Sequence, residues 1–389
     1  MRIVNVRECA VPVGAAMRNA SIGFETMTAS ALAIVVEHDG VRLEGFSFDS
    51  IGRYAKGGLL RERFIPRLIA AEPGKLLDAS GLLEPEAWVR AAMANEKEGG
   101  HGERPGAVAL IEAAAWDLRA KQQGFPLWKS IAGRYGNRDA GPRIKAYASC
   151  GHYRPGEEDA LALEVRSALD AGYRCVKIKL SGWDLRDDLR RLESASAVLR
   201  GASLAVDLNG RLPADRARAW FSAVAPFKLA WIEEPAPPLD YKLLAHYAGL
   251  ASAPLATGEN LFSLDDARNL LRYGGLWPER DLIQIDPLLA YGVGEYVRIL
   301  ELFESGPEGP SWPRRAFMPH AGHLFAAHCV AGLGLGMAEV APDSGLPYGG
   351  LWSGVRVLDG TITLPELPGV GFEAKPNLFA LLAPLAADS

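Results

Sequence analysis

Seven short strings hold the residues with chemistry to offer: Lys177 and Lys179 in VKIKL, Asp207 and Asn209 in VDLN, Glu233 and Glu234 in WIEEP, Glu259 in TGEN, Asp286 in IQIDP, His320 and His323 in MPHAGH, and Glu339 in GMAEV. From Lys179 to Asp286 these groups recur every 26–28 residues. A single carboxylate at the end of an apolar run is more often a helix N-cap or a surface ion pair than a ligand. Three on successive units read differently. Asp207, Glu233 or its neighbour Glu234, and Glu259 would repel one another at a common point unless a cation neutralised them. Oxygen ligands with room for water suit a hard divalent ion, and Mg2+ is the expected one. Lys177 and Lys179 alternate by two, so a strand presents both ammonium groups on one face; solvated edge charges are the bland alternative. Asp286 and His320 could form a carboxylate–imidazole pair in which the acid fixes the tautomer and raises the pKa of the ring. His323 is the alternative acid, and Asn209 is placed to hold Asp207 or a bound molecule.

These groups need elements that bring them to one rim. From about residue 143 short apolar strands alternate with amphipathic helices. The expected strands are 144–148, 175–180, 204–208, 229–232, 255–257, 282–285, 316–318 and 336–340, and the helices between them include 158–171, 185–200, 213–224, 240–248, 264–273 and 293–303. Eight strands in regular β/α alternation describe a closed parallel barrel, whose strand ends all point at one centre. A doubly wound open sheet is the rival, but no Gly-rich phosphate fingerprint follows the first strand. Before the barrel come strands with a His38-Asp39-Gly40 turn, then helices expected over 59–71, 84–96 and 106–121. The expected organisation is an α+β capping domain over 1–135, a β/α barrel over 136–354, and a tail over 355–389 that returns to the cap and carries a hairpin at Asp359-Gly360.

Composition narrows the function classes. The 389 residues carry 42 basic and 47 acidic side chains, net −5, with no basic cluster interleaved with aromatics, which argues against nucleic acid as partner. The N-terminus reads as a strand rather than a secretory leader, and no apolar run approaches the ~18 residues that span a bilayer. A cytoplasmic protein is expected, acting on a small molecule and forming a homo-oligomer. Its four cysteines are far apart and form no C-x-x-C pair, so thiolate metal sites and a disulfide framework are not indicated.

Taken together, K-x-K at 177–179, D-x-N at 207–209, IEEP at 232–235, TGEN at 257–260, the Asp286 strand end and Pro319-His320 resemble the enolase superfamily, in its mandelate racemase-like branch. The resemblance covers nearly the whole chain. Within the branch the chain looks most similar to the D-tartrate dehydratases, through RNA around Asn19, GRY at 52–54, NEK-x-GGHGER at 95–104, ATGENLFS and DARNLLRYGG. It implies a modified (β/α)7β TIM-type barrel with a cap, and one Mg2+ per active site held by Asp207, Glu233 and Glu259, which selects Glu233 over Glu234. It also implies Lys179 as the base that removes a proton α to a carboxylate, with Lys177 stabilising the charge, and His320, oriented by Asp286, as the acid that protonates a departing β-hydroxyl. The expected reaction is dehydration of an acid sugar to a 2-keto acid, D-tartrate to oxaloacetate first. Expected substrate contacts are Asn19, Lys97, Lys177, Asn209, His320 and Glu339. Ile51 and His152 depart from the tartrate dehydratase pattern, which has a second Asn and an aromatic residue there. A racemase or epimerase, a dehydratase of another hydroxy acid, and a non-catalytic binding protein are the alternatives.

Overall fold

The computed structural model describes residues 1–13, 17–306, 309–341 and 347–387. The chain begins with an antiparallel sheet of β1 (Arg2–Pro12), β2 (Thr28–His38) and β3 (Val41–Phe48), in that order. The β2–β3 turn is tight because Asp39 and Gly40 both take positive φ (50° and 76°), the geometry of a two-residue hairpin loop. β2 is buried on both faces. Leu32, Ile34 and Val36 point into one apolar cluster with Trp88, Val108 and Ile111, while Ala31, Ala33 and Val35 point into the other, as the two-residue period of a strand demands.

The first of these clusters is closed by the Arg104–Gln123 helix, which has Pro105 in its first turn and stops at Gly124 with φ 67°. That helix also joins cap to barrel. Its buried Glu112 accepts the backbone N–H of Gly294 at 2.9 Å and that of Val293, at the start of the Val293–Ser305 helix. The single helix expected over 59–71 is interrupted. Residues Leu60–Phe64 form a wide π turn before the Ile65–Ala70 helix, and Pro66, which has no N–H to donate to Glu62, accounts for the break in the regular ladder.

The barrel strands are β4 (Arg143–Ser149), β5 (Cys175–Lys179), β6 (Ser203–Asp207), β7 (Ile232–Glu233), β8 (Leu255–Thr257), β9 (Leu282–Ile283) and β10 (Met337–Val340), parallel and adjacent in sequence order, with β10 beside β4. The strand expected at 316–318 is reduced to Phe317, which bridges Ile283; Met318 N–H donates to Ile283 O and Gly336 N–H to Phe317 O, both at 2.8 Å, and the ring closes there. Pro313 and Pro319 flank that segment, and their missing N–H groups keep it from extending. Outer helices at Glu158–Asp170, Leu185–Ser196, Tyr241–Leu250 and Leu264–Tyr273 agree closely with the expected ones. The hairpin at Asp359-Gly360 forms, but its second strand, β11 (Thr361–Thr363), pairs antiparallel with β4 of the barrel. The Pro376–Ala386 helix is what reaches the N-terminal sheet: Phe379 meets Phe46 edge-on at 5.7 Å and Arg42 donates to Ala386 O at 2.6 Å. Among the described residues no helix is long and apolar enough to cross a membrane.

Candidate active site

Strand register sets the site. Lys179 pairs with Asp207 across β5–β6, and Asp207 with Glu233 across β6–β7, so three neighbouring strand ends deliver three charged side chains side by side. Glu259 follows β8 after Gly258, whose φ is 128° and whose missing Cβ would stand 2.9 Å from Ile285 N; only glycine lets the chain turn there against β9. Asp207, Glu233 and Glu259 are buried and present carboxylate oxygens that lie within 4.8 Å of one another, the one such grouping among the described residues. The donor set fits a hard divalent cation. Glu259 Oε2 and Asn209 Oδ1 are buried without a hydrogen-bond partner, a costly state that a cation or its water shell relieves.

Each carboxylate is held. Asn209 donates its backbone N–H (2.8 Å) and Nδ2 (3.2 Å) to Asp207, which also pairs with Lys179 Nζ. Trp231 Nε1 and Gln284 Nε2 donate to Glu233 Oε2 at 3.1 and 2.6 Å. Asn260 Nδ2 donates to Glu259 at 3.2 Å and to Glu234 at 2.6 Å. Burial pushes the Glu233 carboxyl up to about 7 against the pull of Lys177, and pushes Glu234 well above the ordinary range, aided by Glu259. Burial opposes charge on Asp207 too, but Lys179 and Lys177 outweigh it and hold that carboxyl low.

Across the ring, three strand positions from Lys179 in one direction and five in the other, stands His320. Its Nε2 is 3.4 Å from Glu259 Oε2, and its Nδ1 is 3.5 Å from Asp286 Oδ2, close enough for an ion pair but not aligned as a hydrogen bond. Burial disfavours the charged ring, yet Glu259 and Asp286 raise its pKa above the ordinary histidine value. Asp286 is fully buried. Burial is outweighed there by His323 and His320, so the carboxyl is held far below its usual range. His323 Nδ1 accepts the Ala326 N–H at 3.0 Å as N-cap of the Leu324–Leu333 helix, so the proton sits on Nε2, 3.0 Å from Asp286 Oδ1. Both its nitrogens are thereby engaged, and of the two histidines His320 is the one that lines the cavity, where His152 also stands. His320 is followed by Ala321 in a left-handed conformation (φ 83°), pinned by its N–H to Glu339 Oε2 (3.1 Å) and by Tyr348 Oη donating to its carbonyl (2.5 Å).

A cavity of about 200 Å³ opens above these groups, lined by Lys179, Asn209, Glu259, His320 and Glu339 from the barrel and by Asn19, Ile51 and Arg53 from the cap. Two expected substrate contacts lie elsewhere. Lys97 is on an exposed loop outside this cavity. Lys177 lies beneath it, 1% exposed, with its ammonium between Glu233 and Glu339 (3.1 Å to the latter) and 5.7 Å from the Tyr147 ring. Burial is outweighed by those two carboxylates, so Lys177 stays protonated, and with His320 it keeps Glu339 ionised against burial. Asn19 does reach the wall, but its Oδ1 accepts the backbone N–H groups of Ser21 and Ile22 at 2.7 and 2.8 Å, which leaves only its Nδ2 for a bound molecule. His101 stacks on Phe262 at 4.4 Å and pairs with Asp266 at 3.4 Å, a packing role for the GGHGER loop. Gln284 and Arg53 were not singled out in the sequence. Gln284 carried a signal, since it stands two residues before Asp286 on the same strand face; Arg53, on a cap loop, carried only its place in the GRY string at 52–54.

Residues 160–378, more than half of the chain, match the family described as enolase C-terminal domain-like, and the protein belongs to that family and so to the enolase superfamily. Several of its relatives are enzymes named for sugar acids. A 3,6-anhydro-α-L-galactonate cycloisomerase of Streptomyces coelicolor is 29% identical over 70% of each chain. A D-galactonate dehydratase of Xanthomonas axonopodis pv. citri is 29% identical over 58% of this chain and 56% of its own length. The L-talarate/galactarate dehydratase of Salmonella typhimurium is 26% identical over 71% of this chain and 65% of its own. The chain thus spans little more than half to 70% of the length of these relatives. The same architecture is seen in the crystal structure of a racemase from Streptomyces coelicolor with bound magnesium, with TM-score 0.74 and 23% identity over 97% of this chain and 99% of that one. The L-talarate dehydratase of Polaromonas sp. JS666, complexed with Mg and L-glucarate, superposes with TM-score 0.72 at 22% identity, over 95% and 94% of the two chains.

Proposed function

We propose that the protein is a Mg2+-dependent acid-sugar dehydratase, and that D-tartrate, converted to oxaloacetate, heads its candidate substrates. The observation that carries this reading is the placement of Lys179 and His320 around one small cavity that Glu259, of the Asp207–Glu233–Glu259 cluster, also lines. Asp207, Glu233 and Glu259 would hold Mg2+, which would supply positive charge to offset the charge that develops when a proton α to a carboxylate is lost. Lys179 Nζ takes that proton in its neutral amine form, which burial favours and the ion pair with Asp207 opposes. His320 delivers a proton to the β-hydroxyl as its C–O bond breaks, so water leaves and the resulting enol becomes a 2-keto acid. Asp286 orients His320, and Lys177 keeps Glu233 and Glu339 in place from below. The dehydratases of D-galactonate and of L-talarate/galactarate among the relatives support the acid-sugar class, and a 200 Å³ cavity suits a chain of four to six carbons.

A second reading is favoured by the same placement: two proton carriers on opposite faces of one carbon make a racemase or epimerase. The test that separates them is incubation with Mg2+ and a panel of mono- and diacid sugars in 2H2O, following 2-keto acid formation and α-deuterium together. Keto acid from one or more acids is the expected result. Deuterium exchange with no keto acid from any of them sinks the dehydratase and leaves the racemase.

A further inference from the structure

We infer that Ser50, supplied by the cap, is a positioning residue for the acid side of the site: its hydroxyl fixes Asp286 and, through Asp286, the ring of His320. This rests on the reading of His320 as the acid. Ser50 is fully buried and its Oγ donates to Asp286 Oδ2 at 2.5 Å, across 236 residues of sequence. The other oxygen of Asp286 is already committed, accepting from His323 Nε2 at 3.0 Å and from the Leu288 N–H at 2.7 Å. Oδ2 is therefore the oxygen left to face His320, and Ser50 shares it: His320 Nδ1 stands 3.5 Å away. Whatever holds Ser50 thus sets how Asp286 is presented to the imidazole.

Ser50 is itself held by both halves of the molecule. The residue before it, Asp49, is buried in a salt bridge with Lys56 at 2.6 Å, and its N–H donates to Ser30 O at 3.0 Å, which ties the segment to β2. The residue after it, Ile51, donates its N–H to Tyr348 Oη at 3.4 Å, and that hydroxyl donates to Ala321 O, the carbonyl next to His320. The cap segment 49–51 consequently grips the His320 region at two points, one through the side chain of Asp286 and one through the backbone. Docking of the cap then completes the acid as well as covering the cavity. Lys179 takes its register from β5 and β6 and pairs with Asp207, and among the described residues no hydrogen bond or ion pair ties it to the cap.

That asymmetry gives the test. Ser50→Ala and Ser50→Thr are compared with the unaltered enzyme in 2H2O, with Mg2+ and an acid sugar it dehydrates. For Ser50→Ala the elimination kcat is expected to fall about tenfold, with KM within about twofold and α-deuterium exchange unchanged; Thr, which keeps the hydroxyl, restores elimination. Ser50→Cys fills the same space with a weaker donor and gives the same split should the alanine variant fail to fold. Unchanged kcat in the Ala and Cys variants, or a parallel fall of exchange and elimination, overturns the inference. A readout free of turnover is the 15N spectrum of the imidazoles, with His320 assigned by its loss in His320→Asn: its signals move in Ser50→Ala and return in Ser50→Thr. A spectrum that does not move overturns the role of Ser50 even if no acid in the panel is dehydrated, an outcome that would itself count against the dehydratase.

Discussion

The barrel rim and the cap both border the cavity, but they arrive there by different physics. Rim residues come one per β/α unit, in register, each fixed by a neighbouring strand: Lys179 beside Asp207, Asp207 beside Glu233. Cap residues come from loops after β1 and β3, and their positions follow from particular contacts such as the Asn19 turn or the hydrogen bond from Arg53 to Asn260. The rim is therefore suited to chemistry that needs fixed geometry. The cap, free to vary in loop and side chain, is suited to choosing what reaches that chemistry.

The sharpest way to break this division is at Lys179. If the rim carries the proton transfer, Lys179→Ala lowers kcat by about 10³-fold while the fold and Mg2+ binding persist, checked by circular dichroism and by calorimetric titration with Mg2+. Turnover that survives removes Lys179 as the base. Next in size is the contrast between two histidines three residues apart. His320→Asn should reduce elimination by about 10²-fold. His323→Asn, which retains a side-chain oxygen able to cap the helix, should cost at least tenfold less, and equal losses would return His323 to candidacy as the acid.

The same contrast explains what could be read from the sequence. Carboxylates at the ends of β6, β7 and β8, with Asp286 after β9, were legible because a repeating unit puts a repeating spacing into the chain; the barrel followed from the same period. The seventh strand was misjudged in extent, since the apolar pattern of 316–318 gives no warning that Pro313 and Pro319 confine pairing to Phe317. Lys177 and Lys179 share a strand face, yet one faces the cavity and the other lies buried beneath it between Glu233 and Glu339, a difference of depth that period-two alternation does not encode. The Pro319-His320 resemblance favours His320 over His323 without a physical reason, and the Ala326 N–H on His323 Nδ1 is the contact that occupies the second ring. On the cap side almost nothing was legible from spacing. Lys97 was expected at the cavity and lies outside it, while Arg53 and Ser50 reach inward through loop contacts that have no period.

A third experiment probes the cap alone. Arg53 lines the cavity, held by Asn260 and by Gly52 O at 2.7 Å, with its guanidinium 5.5 Å from the Phe262 ring. It places a guanidinium on the cap wall of that cavity. For a diacid sugar, Arg53→Ala is expected to raise KM about tenfold, the loss of one charge-assisted hydrogen bond, with kcat within a factor of about two. A fall in kcat instead, with KM unchanged, would place the cap inside the chemistry and dissolve the division.

The smallest effect tests a point where rim and cap meet. Ala321 is buried with φ at 83°, a region that costs an L-residue about 1–2 kcal/mol and glycine almost nothing. It is kept there because its two peptide groups are both in use, one on Glu339 and one on Tyr348, which in turn takes the Ile51 N–H of the cap. Ala321→Gly should relieve the strain, less the extra entropy that glycine loses on folding. The net gain is about 1 kcal/mol or less, read as a rise of roughly 1–2 °C in Tm. Because the hydrogen bonds are made by backbone atoms, they survive the change, and kcat should hold within a factor of about two. If stability rises and elimination nevertheless falls while α-exchange does not, the methyl group is itself restraining the turn that carries His320. The strain would then belong to the acid's placement rather than to the packing around it.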